Sequence, residues 1–123
     1  MNTPLRQALL PEVVRLTIGK TLQGTLVDLL DLALVAKQAH WNVRGPGFRS
    51  AHLELDGIAA MARQQAAEVA ERAATIGVSP DGRAVTIAAT SGFPEFAPGW
   101  SDTDGALAEL ADRIGEINDL QSA

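Results

Sequence analysis

Cysteine is absent from this chain of 123 residues, which excludes a disulfide framework and any Cys-x-x-Cys metal or redox site. Aromatic residues make up only 4 %, so the core has to be built from Leu, Val, Ile and Ala, a palette that suits helices packed on helices. Basic residues are outnumbered 15 to 10 by acidic ones, leaving a formal charge of −5. That balance argues against a general nucleic-acid binder, which carries a basic surface. No apolar run reaches the roughly 18 residues that span a bilayer. The opening MNTPLRQALLPEVV lacks the charged n-region, long h-region and cleavage site of a leader. The expectation is a soluble, cytoplasmic, all-α protein of one domain, since this length suits a single core.

Helical periodicity carries the rest of the organisation. A short arm over the first ten residues holds Arg6, and Pro11 stands where a helix can begin without losing a needed hydrogen bond. From residue 12 to about 39 apolar residues recur at helical spacing (Val13, Leu16, Leu22, Leu26, Leu29, Leu30, Val35). Gly19 and Gly24 interrupt the pattern and mark close packing or a bend. Arg44-Gly45-Pro46-Gly47 reads as a turn, followed by a second long helix from about 48 to 76, with Gly77 as a left-handed stop. Residues 78–100 are mostly connection, with one or two helical turns over 84–90. Ser101 with Asp104 has the form of a capping box, opening a third helix from 102 to about 119. Its apolar face (Leu107, Leu110, Ile114, Ile117, Leu120) finds no fourth helix in the sequence to close a bundle, so it needs another subunit or a longer chain.

The chain has two histidines, His40 and His52, both close to the first turn. His52 and Asp56 are spaced i, i+4 and share a helix face, about 40° apart at 100° per residue. Glu71 lies about 60° beyond Asp56 on that face, but roughly 22 Å away along the axis at 1.5 Å per residue. No ion reaches both in one copy. An antiparallel second copy, with its two-fold axis near Arg63 and Gln64, brings its Glu71 beside the first copy's His52 and Asp56 and makes two equivalent sites. His40 reaches across the turn to complete the set. Imidazole and carboxylate with an open position suit Fe(II), Mn(II) or Zn(II), and the histidines have to be neutral, so loading weakens below about pH 6.5.

Each of these residues has a simpler role beside the chemical one. His-x₃-Asp on a helix is commonly a solvated pair. His40 can be an ordinary helix-end histidine with Trp41 in the core. Glu71, with Arg72 and Glu68 nearby, can be a solvated face. Lys37 reads as a surface lysine, and the third helix, acidic except for Arg113, as solvated.

The segments KQAHWNVRGPGFRSAHLELDG and AERAATIGVSPDG closely resemble the Dps family (DNA-binding proteins from starved cells), a ferritin-like group. The match includes His-Trp-Asn-Val, Gly-Pro, Phe48, His52 twelve residues after His40, Asp56 and the Ala-Glu-Arg that holds Glu71. It extends more weakly through the first helix and the region to Trp100. The resemblance implies one ferritin-like domain over residues 1–123, in hollow dodecamers of four-helix subunits. Members bind Fe(II) between two-fold-related subunits, oxidise it with hydrogen peroxide and store ferric mineral, an iron-homeostasis and stress-response role that protects DNA. Their site uses two histidines and an aspartate of one subunit, matching His40, His52 and Asp56, and a glutamate of the neighbour, matching Glu71. Trp41 matches a tryptophan beside that site, where it intercepts oxidising equivalents.

Two departures from the family stand out. Its second aspartate, four residues before the glutamate, is Ala67 here, so the face is kept and the ligand is gone. Glu68, rotated by about 100° from it, reaches the site only by curling back. The family's fourth long helix has no counterpart before Ala123, so the resemblance gives three of the bundle's four helices. The expected function is a ferroxidase and iron-storage subunit. The alternatives are an impaired or structural metal-binding relative, or a nucleoid component that binds DNA. For DNA the first twenty residues offer only Arg6, Arg15 and Lys20.

Overall fold

The computed structural model describes residues 11–122, with side chains through Asp119. The expected arm with Arg6, and the side chain of Leu120, lie outside the described residues. Helix α1 (Glu12–Asn42) starts after an extended Pro11 and runs three residues beyond its expected end. Asn42 Nδ2 donates to the carbonyl of Gln38 at 2.7 Å, and the N–H of Val43 to that of Ala39. The extension places His40 and Trp41 inside the last helical turn. Gly47, at φ +77°, then turns the chain into α2 (Phe48–Thr75), a left-handed step that glycine makes at little cost.

Helix α2 ends in a Schellman cap. The N–H groups of Gly77 and Val78 donate to Ala74 and Ala73 at 2.9 Å each. Val78 packs directly over Gly19 of α1, where a Cβ would come within 2.6 Å of a Val78 methyl. Close packing, rather than a bend, is therefore what Gly19 serves; around Gly24 a Cβ would meet nothing within 4 Å, and nothing in the structure explains that glycine.

The two long helices form an antiparallel hairpin. Leu26, Leu29, Leu32, Ala33 and Ala36 of α1 meet Ala51, Leu55, Ala59, Ala62, Ala66 and Val69 of α2, all buried. The alanine ladder lets the axes approach closely, so the leucines of α1 fill the space between. The chain then returns along α1. Gln23 and Asp81 exchange two hydrogen bonds, 2.8 and 2.9 Å, just ahead of the short helix α3 (Ala84–Thr90). Arg83, Thr86 and the N–H of Arg83 together hold the Asp81 carboxyl well below its usual range. Further on, Ser91 Oγ donates to Asp31 at 2.6 Å and the N–H of Gly92 to the buried Asp28 at 3.1 Å.

This strap delivers the chain to the end of the bundle where α1 finishes. There β1 (Val43–Arg44) and β2 (Ser101–Asp102) pair in parallel, Val43 opposite Ser101. Helix α4 (Thr103–Ser122) begins after the pairing, one residue later than expected. Its cap is accordingly Asp102, which accepts the N–H of Gly105 at 2.7 Å, and not Ser101, whose backbone is held extended in the ladder.

The apolar face of α4 is covered more fully within the chain than its sequence suggests. Ala106, Leu110 and Ile117 are buried against α1 and α2, and Leu107 and Ile114 are half-buried. The acidic helix is also less uniformly solvated than expected, since Arg113 on it is only 3 % exposed. Among the described residues no helix is long and apolar enough to cross a membrane. The architecture is all-α, with three long helices and one short one among the described residues.

Candidate metal centre

His40 comes from the last turn of α1 and His52 from the second turn of α2, so the 43–47 turn folds them onto each other. Their rings stack with centroids 3.7 Å apart and planes 17° from parallel, and Phe48 lies against His52 at 5.4 Å. Each ring is tied to the other's backbone. His40 Nδ1 bonds the carbonyl of His52 at 2.5 Å, and His52 Nδ1 bonds the carbonyl of His40 at 2.8 Å. A carbonyl only accepts, so each Nδ1 carries the proton and donates. In the neutral ring that tautomer leaves the Nε2 lone pair of both histidines for a ligand bond, which is how backbone partners orient metal-binding imidazoles.

Asp56, one turn beyond His52, is half exposed and bonded to Lys37 of α1. The Lys37 ammonium, by that hydrogen bond and then by its charge, holds the Asp56 carboxyl below its usual range. Asp56 therefore stays a hard oxygen donor in weak acid. Lys37 is not the surface lysine that the sequence suggests. It stands three residues before His40, on the same side of α1, and that i, i+3 spacing was the signal available.

Trp41 is 65 % exposed, which corrects the alternative placing it in the core. It opens onto a groove of about 800 Å³ between α1 and the strap, lined also by Leu34, Val35, Ile87, Phe93 and Phe96. Glu71, Ala67 and Glu68 are all exposed on α2. The structure thus brings His40, His52, Asp56 and Lys37 together and leaves Glu71 fifteen residues further along α2. Among the described residues no three His, Asp or Glu side chains of one chain are grouped closely enough to hold a metal ion. Two imidazoles locked to the backbone thus lie at the same end of the hairpin as the half-exposed Asp56 carboxylate.

The chain is similar to known proteins in sequence and in fold. Residues 19–120 match the ferritin-like domain family. A protein of Haemophilus ducreyi named as a fine tangled pili major subunit is 43 % identical over 82 residues, 67 % of this chain and 43 % of that one. A DNA protection during starvation protein of Agrobacterium fabrum is 30 % identical over 111 residues, 90 % of this chain and 68 % of that one. Among solved structures, a Dps from Deinococcus radiodurans superposes with a TM-score of 0.73 at 34 % identity, covering 89 % of this chain and 71 % of that one. The chain spans less than half the length of the curated relatives it matches at 43 % identity.

Proposed function

Since the chain belongs to the ferritin-like Dps family, we propose that it binds Fe(II) as substrate and oxidises it with hydrogen peroxide at sites shared by two antiparallel copies. The ferric product is stored and DNA is thereby spared oxidative damage. The observation that carries this reading is the pair of imidazoles locked through Nδ1 beside an ionised Asp56.

Neutral nitrogen donors accept Fe(II), and carboxylate oxygens favour Fe(III), so the mixed set drives the loss of an electron. Each Fe(II) gives up one electron, and each peroxide takes two as its O–O bond breaks. Glu71 of the second copy supplies the carboxylate that one chain lacks near Asp56. Trp41, exposed at the rim, is placed to take up an oxidising equivalent that escapes.

Shared sites make a quantitative test possible. His52→Ala and Glu71→Gln chains are each expected to be inactive alone. Refolded together in equal amounts, half of the pairs are mixed, and each mixed pair holds one intact site. About a quarter of wild-type Fe(II) oxidation should return. No recovery on mixing, with both variants folded and paired, would rule out the shared site.

Ala67 sits on the site face where the family carries a carboxylate, which supports a weaker site than the family's. Ala67→Asp is expected to raise the oxidation rate about tenfold, the scale on which single groups around a metal act. An unchanged stopped-flow rate would show that position 67 does not limit the reaction.

A further inference from the structure

Arg63 lies on the same face of α2 as Asp56, about 20° from it at 100° per residue and about 10 Å from it along the axis. It is exposed and makes no ion pair or hydrogen bond among the described residues. Its own helix offers it no acid, because the positions three and four away on either side are Ala59, Ala60, Ala66 and Ala67. Glu68, rotated by about 100° from Ala67, leaves that face. Across the helix interface Arg63 borders a groove of about 290 Å³ lined by Leu26, Leu30, Ala66, Ala70 and Pro80. Asp81, next to Pro80, spends its carboxylate on Arg83 and Thr86.

Pairing of two copies turns this lone guanidinium into a site. The antiparallel register that sets Glu71 against Asp56 also sets residue 63 of one copy against residue 64 of the other. The two-fold axis passes between them, so both Arg63 side chains gather at it. Their neighbours on that face, Ala60, Gln64 and Ala67 of either copy, are all neutral. Two guanidiniums brought together among alanine and leucine repel each other, and each loses water as the helices close. A single oxyanion between them reverses the balance, since each guanidinium offers a fork of parallel N–H donors to two oxygens. We propose that the paired copies bind one small tetrahedral oxyanion, phosphate foremost, on the two-fold axis between their Arg63 side chains, and that the anion strengthens the pairing. The inference rests on the reading of the Fe(II) sites as shared by two copies and adds a ligand that holds the halves together.

Inorganic phosphate serves as the probe, in metal-free chloride buffer, with binding followed by calorimetry and pairing by sedimentation velocity. One phosphate is expected per two chains. Saturating phosphate should tighten the pairing at least about tenfold, as a ligand bound by the pair alone must. Sulfate should compete, and added sodium chloride should weaken the binding. Arg63→Gln should lose phosphate affinity at least about tenfold, and Arg63→Lys, which keeps the charge without the fork, should fall between. Ala67→Asp, which sets a carboxylate one turn from Arg63, should also weaken it. A stoichiometry of one phosphate per chain, phosphate binding unchanged by Arg63→Gln, or pairs that take up no phosphate overturns the proposal and leaves the shared Fe(II) sites standing. Chains that stay single with phosphate and Fe(II) both present overturn the shared sites and the proposal together.

Discussion

A chain with His52→Ala and Asp56→Ala is expected to oxidise Fe(II) with peroxide at least about 100-fold more slowly than wild type, against a scale of 10- to 100-fold for partners outside the ligand shell alone. Two of the three donors proposed for one chain are removed, and the third loses its setting. The His52 carbonyl accepts the His40 Nδ1–H, its ring stacks on that of His40, and its own Nδ1–H is donated to the His40 carbonyl. The His52 carbonyl survives substitution, so His40 keeps its tautomer but not the stacked ring that fixes its plane. Lys37, freed from Asp56, adds an uncompensated positive charge beside the remaining imidazole and repels Fe(II). Stopped-flow oxidation under peroxide decides the matter, with circular dichroism to show that both chains fold. Equal rates would remove the catalytic claim, whatever the fold.

Asp31→Ala is expected to be the most damaging single change away from the metal centre. Arg113 of α4 is buried with one strong hydrogen bond, from Nη2 to the carbonyl of Pro94 at 2.6 Å. Its Nη1 stands 3.5 Å from Asp31 and its Nη2 3.7 Å from Glu109. Phe93 and Phe96 present ring faces at 5.1 and 6.0 Å. Nε and Nη1 make no hydrogen bond among the described residues, so the guanidinium depends on its carboxylates. Deleting one partner of a buried pair costs about 3–5 kcal/mol. Asp31 is a fifth exposed and Glu109 remains, so we expect about 2–4 kcal/mol, including the lost bond to Ser91. That corresponds to a fall in Tm of about 10 °C for a domain of this size. Arg113→Met, which removes the charge with its unbonded donors, should cost less. Thermal unfolding of the two variants checks the order; if Arg113→Met is the worse, the charge is not what the cluster protects.

Much of the fold could be read from the chain because apolar spacing and chain punctuation agree. Gly77 and Gly47 stop and turn the backbone where positive φ is needed, and the periodic Leu and Ala residues define which faces meet. What escaped was set by partners distant in sequence. The local exception is Asn42, which carries α1 past its expected end by bonding Gln38. The Val43–Ser101 pairing shifts the cap of α4 to Asp102. Arg113 is buried because Asp31, Pro94 and two phenylalanines, all outside its helix, surround it.

The candidate site divides in the same way. His52 and Asp56 share one helix, so a wheel finds them. His40 is found through the shortness of the turn. The bonds that fix both ring tautomers run to carbonyls of the opposite helix, and no residue identity encodes a carbonyl. Lys37 was misread because its partner lies nineteen positions away on α2. Glu71 remains an inference from spacing, since its proposed neighbours belong to another molecule.

The crossed bonds between the two imidazoles and the two backbones have a last consequence. Each ring of the stacked pair is bolted to the opposite main chain, so the spacing of the two rings is set by the hairpin itself. Whatever comes to the two Nε2 atoms meets a pair already oriented by its own backbone.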